Sequence, residues 1–129
     1  MYQPLQLKAV AQHIREELAR PDADPWLWIR QFLDDFYHAA PETRAAMIAE
    51  RPELTGDCRF DAYLAALAEY LAVHYALPVP AWVEEPERFL EQWWFPTQFR
   101  SLHAIALVQS PASFRRRGIF VDQTEFQRC

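Results

Sequence analysis

An all-α chain is what this sequence predicts, and three observations predict it. Apolar residues recur at helical spacing in several long stretches. No alternating run is long enough for a useful strand, and prolines fall between the periodic stretches, not inside them. With 129 residues, one compact helical bundle-like domain covering 1–129 is the expected organisation. Folding a chain of this size removes roughly two-thirds of its surface from water, enough for a real core. We expect about five main helices plus short ones, with the second, fourth and fifth forming that core.

Leu7, Val10, Ala11, Ile14 and Leu18 share one side of a first helix over 5–20, opposite Lys8, Gln12, Arg15 and Glu16. Pro21 to Pro25 breaks it. Asp24 then suits an N-cap and Pro25 the first helical position, where a missing N–H loses no partner. The second helix, 25–39, places Trp28, Ile29, Phe32, Leu33, Phe36 and Tyr37 on one broad side, and Gln31, Asp34, Asp35 and His38 opposite. Pro41 opens a third, shorter helix through Ala49 that carries Met47 and Ile48 inward, and Pro52 bars its continuation. Asp57 caps a fourth helix over 58–76, whose stripe is Phe60, Leu64, Leu67, Leu71 and Tyr75.

Pro78 and Pro80 impose an extended link, with short helical pieces expected around Ala81–Glu84 and Pro86–Gln92. Trp93-Trp94-Phe95-Pro96 puts three large rings before a break. The fifth long helix, 97–109, is apolar on nearly every side, so it must be central to a core or covered by a partner. Ser110-Pro111 reads as an N-cap and N1 pair for a short helix closed by left-handed Gly118. Ile119 to Val121 is a brief extended segment, and Asp122 to Glu125 resembles a capping box for a last turn.

Composition removes several function classes. The net charge is −5 and the pI about 5.3, which disfavours generic nucleic-acid or anionic-membrane binding. Gly56 and Gly118 are the only glycines, so no glycine-rich phosphate loop and no dinucleotide fingerprint can exist. Ser101, Ser110 and Ser113 are the only serines, none in a nucleophile elbow. Cys58 and Cys129 do not make a disulfide framework, and no apolar run is long enough to span a membrane or serve as a secretory signal. The expected setting is the cytoplasm, and no cofactor is called for.

The remaining candidates each have a plain structural reading beside a functional one. Asp34 and His38, one helical turn apart, could present a carboxylate and an imidazole to a divalent metal. The paired Glu-x-x-His motifs of a di-iron bundle are missing, and both side chains project toward solvent, so the expectation is no metal. His74 lies in the stripe of the fourth helix, where a core histidine needs a hydrogen-bond partner. His103 lies in the apolar fifth helix beside Arg100. Together His74 and His103 form the alternative, an enzyme with a proton-transfer site between helices. Arg115, Arg116 and Arg117 are the one basic cluster. They could stabilise a helix C-terminus, meet an acidic partner or grip phosphates. Trp93, Trp94 and Phe95 either plug the core or expose a ring as an interface anchor.

The segments QFLDDFY, LTGDCRFDAYLAALAEYLA, LPVPAW, EEPERFL, WWFP and QSPASFRRRGIFVD resemble a family of small uncharacterised bacterial proteins, over roughly residues 26–129. In that family the segment stands alone or follows a helix-turn-helix domain, in settings suggestive of toxin–antitoxin loci. The resemblance carries no catalytic residues. The expected function is therefore a non-enzymatic protein-interaction or regulatory (antitoxin-like) module with a protein partner. Nucleic-acid binding through Arg115 to Arg117 stays as an alternative, and self-association stays open.

Overall fold

The structure, a computed structural model, describes residues 3–22, 24–96 and 110–121. Its fold is all-α. In chain order come α1 (Leu7–Leu18), α2 (Trp26–His38), α3 (Pro41–Ala49), α4 (Cys58–His74) and a short α5 (Ala112–Arg115). 3₁₀ turns at Ala81–Glu84 and Pro86–Arg88 lie between α4 and α5. The expected helix over 97–109, with His103, and the expected last turn from Asp122 lie outside the described residues. Packing divides the chain into two compact units, Met1–Asp57 and Cys58–Cys129.

In the first unit α1 packs on α2 and α3. Leu7, Val10, Ala11 and Ile14 of α1, Ile29, Phe32, Leu33 and Phe36 of α2, and Met47 and Ile48 of α3 are all buried, as the periodicities require. Asp24 serves α2 as expected, since its Oδ1 accepts the Trp26 N–H at 3.1 Å while Oδ2 pairs with Arg30 at 2.9 Å. The last carbonyls of α2 need donors, and Arg44 of α3 supplies them: Nε donates to Phe36 O and Nη2 to Tyr37 O, both at 2.9 Å. Asp35 departs from the expectation of a solvated face. It is buried, and it accepts the Leu5 N–H at 2.8 Å and Gln31 Nε2 at 3.1 Å. A helical projection shows which way Asp35 points but not that the segment preceding α1 reaches it. His13 stacks flat on Trp28, with centroids 3.8 Å apart.

The second unit is built around α4. Every residue from Phe60 to Ala68 is buried, so this helix is covered all round, by α5 and both 3₁₀ turns among others. That is a wider burial than the single stripe the sequence suggests, and five alanines make the close approach possible. The helix ends at His74, two residues earlier than expected. Ala76 takes the left-handed conformation (φ 57°) while Leu77 N–H donates to Ala72 O at 2.7 Å, a Schellman closure. An alanine there costs about 1–2 kcal/mol relative to a right-handed residue.

Past α5, Gly118 (φ 81°) turns the chain so that 117–120 runs beside 90–94. Leu90 N–H donates to Arg117 O at 3.1 Å, Trp94 N–H to Gly118 O at 2.8 Å, and Phe120 N–H to Trp94 O at 3.0 Å. Trp94 and Ile119 form a parallel bridge. Ser110 does not cap α5. Its buried hydroxyl donates to Ile119 O at 3.1 Å and accepts the Val121 N–H at 3.3 Å, tying the start of the segment to its end. Pro111 O takes over at the helix start, accepting from Phe114 and Arg115 N–H. No helix among the described residues is long and apolar enough to cross a membrane.

Candidate functional site

The second unit concentrates its unusual chemistry on the side where α5 meets α4. α4 is nearly uncharged beyond its first turn, and Glu69 is its one acidic side chain there. α5 and the residues that follow present Arg116 and Arg117 to it. Arg117 is fully buried: Nη1 donates to Glu69 Oε1 at 2.6 Å and to Ser113 O at 2.7 Å, and Nη2 to Val83 O at 2.8 Å. Its Nε has no hydrogen-bond partner among the described residues. Arg116, partly exposed, donates Nε (3.1 Å) and Nη2 (2.8 Å) to the same Glu69 oxygen and also pairs with Glu84. Both guanidiniums lie on the Phe89 ring, 5.1 and 4.8 Å from its centroid.

These contacts set the charge states. Burial pushes the Glu69 carboxyl up, but hydrogen bonds and charge from Arg116 and Arg117 outweigh it and hold the group below its ordinary value. The hydrogen bonds that Arg116 donates to Glu84 and Glu69 raise it further, whereas burial lowers Arg117 despite Glu69. A carboxyl held low in the folded state stabilises the fold above its unfolded pKa. That stabilisation is lost as pH falls through the folded one. Wild-type denaturation midpoints should therefore fall on acidification below the ordinary carboxyl value of 4.5, and a Glu69→Gln variant should lack that component, so the two curves converge in acid. Parallel curves down to about pH 3 would show that Glu69 does not carry it.

A second buried guanidinium, Arg88, lies over Trp82 (4.9 Å to the centroid). It donates to Glu85 Oε1 at 3.1 Å and to Asp61 O at 3.3 Å. Sequence reasoning singled out neither Arg88 nor Glu69 nor Phe89. The available signal was a lone glutamate in an alanine-rich helix with three arginines downstream.

The sequence-predicted residues fare differently from one another. Arg117 is inside the unit and Arg116 is engaged by two glutamates, while Arg115, exposed, donates to Ser110 O at 2.8 Å. Trp94 packs edge-on to Phe60 and Tyr63 of α4, with Arg59 over its ring. Phe95 stacks on the buried Phe120, whose edge also meets Trp93 at 5.0 Å. Trp93 is nevertheless 69% exposed, level with Val73 as the most exposed large apolar side chain described. His74 is not a core histidine. It is exposed at the last residue of α4, stacked on Tyr70 with Tyr75 at its edge, because the stripe leaves the core after Ala72. His38 Nδ1 lies 2.7 Å from the Asp34 carbonyl, a bond within its own helix, and both side chains are exposed. Among the described residues, no group of three or more His, Cys, Asp or Glu could hold a metal ion.

The chain matches no family model, no curated protein and no solved structure.

Proposed function

We propose that this chain is a non-enzymatic protein-interaction module, regulatory or antitoxin-like, whose partner is a cytoplasmic protein. The observation that carries the reading is Trp93. An indole left 69% exposed on a backing of Phe120, itself stacked on Phe95, has the character of an interface anchor, because tryptophan gives large contact area for little lost side-chain freedom. The arginines support a protein over a nucleic acid. Arg117 is consumed inside the unit and Arg116 is offset by Glu69 and Glu84, on a chain of net charge −5. The resemblance to small bacterial proteins from toxin–antitoxin settings agrees with this proposal.

Trp93→Ala tests it. An exposed ring contributes little to stability, so thermal unfolding should stay near wild type, while a hot-spot loss of about 2 kcal/mol or more weakens the partner roughly 30-fold. Wild-type bait from the native host should retain a protein that the variant loses. Equal recovery by both baits, or tight binding of random-sequence duplex at about 0.15 M salt, would refute the proposal.

A further inference from the structure

We propose that the ion pairs of Glu69 with Arg116 and Arg117 act as a latch that fixes where Trp93 is presented relative to α4. The inference rests on the reading of Trp93 as an anchor, and Glu69 is in it a positioning residue. The path is continuous. Glu69 on α4 holds the Arg117 side chain at 2.6 Å, and Arg117 also grips Val83 O in the first 3₁₀ turn. The Arg117 carbonyl takes the Leu90 N–H, and the next residues bracket Trp94, through Gly118 O and Phe120 N–H. Phe120 in turn carries the rings of Trp93 and Phe95.

Two short segments, 90–95 and 117–120, therefore move as one piece, since backbone bonds join them. Trp94 against Phe60 and Tyr63 gives this piece ring contacts with α4. The charged tie to α4 sits at its other end, in Arg116 and Arg117. The arrangement is unusual because one carboxylate oxygen receives three donors from adjacent arginines. Neutralising this single group thus removes the charged partner on α4 from both arginines at once.

Nuclear magnetic resonance on the full chain tests the latch without any partner, so its outcome is separate from that of the Trp93→Ala capture. In Glu69→Gln the contacts of Trp94 with Phe60 and Tyr63 should disappear and the Trp93 indole resonance should shift. The Trp93–Phe120 contact and the protected amides of α4 should persist. Should Glu69→Gln fail to fold, the paired Glu69→Met, Arg117→Met variant removes the charges while keeping an apolar filling, and the same loss is expected there. Unchanged Trp94 contacts in either folded variant overturn the latch. Simultaneous loss of Trp94, Phe120 and α4 protection in the paired variant overturns it too, since Glu69 would then serve only general stability.

Discussion

Glu69→Gln should destabilise the unit Cys58–Cys129 by about 3–5 kcal/mol, the cost of leaving a buried charge without its counter-ion. The Arg117 side chain is 0% exposed and Glu69 19%, so water cannot replace the lost carboxylate. The remaining acceptors, Ser113 O and Val83 O, are neutral, and Nε already lacks a partner among the described residues. Glu84 is the internal control. It pairs with the same Arg116, but at 60% exposure its loss should cost at most about 1 kcal/mol. Replacing Glu69 and Arg117 together by methionine should recover much of the stability, because two uncharged side chains remove the desolvation penalty along with the attraction. Urea titrations of the four proteins check all of this. Equal midpoint shifts for Glu69→Gln and Glu84→Gln would mean that Glu69 is not the hub.

The helices were legible in the sequence wherever burial follows a single period. α1, α2 and α3 appear within two residues of their expected bounds, because each has one apolar side and a proline before or after it. What periodicity cannot register is a second element arriving on the polar side. The angle of Asp35 on α2 points it toward solvent, yet Leu5 reaches it with a backbone N–H. His74 is the reverse case: its angle matches the core stripe, but its position lies past the last buried turn of α4. Angle tells direction only. Position along the axis tells whether anything is there to meet the side chain.

The site was less legible than the fold, for a different reason. Arginine is ordinarily a surface residue, so Arg88 and Arg117 carry no hydropathic sign of full burial. Their guanidiniums lie over the Trp82 and Phe89 rings and reach Asp61 O, Glu69 and Val83 O, partners far away in sequence. Ser110 shows the same limit. Ser-Pro before a short helix is a good capping signal, but the hydroxyl goes to Ile119 O and Val121 N–H instead. Gly118 is legible because left-handed backbone after a helix favours glycine, even though α4 closes on a left-handed Ala76.

Phe114→Ala should rival Glu69→Gln in effect, at about 3–5 kcal/mol, and for reasons of packing alone. The ring is fully buried, 5.2 Å from Tyr63 and 6.2 Å from Tyr70 between centroids. α5 has only 4 residues, far too few to be helical on its own, so it exists because its side chains dock on α4. Two of them are buried, Ser113 and Phe114, and only Phe114 brings substantial apolar area. The backbone depends on the same residue: Phe114 O accepts N–H from both Arg117 and Ile119 at 3.0 Å. An alanine therefore leaves a cavity against α4 and loosens the turn that aims Arg117. Hydrogen exchange should show the amides of Arg117, Gly118 and Ile119 losing protection ahead of those in α4, with the denaturant midpoint lowered. Phe114→Leu, which keeps most of the volume, should cost less than half as much. A Phe114→Ala midpoint within about 0.5 kcal/mol of wild type would show that α5 is held by its arginines and not by this ring.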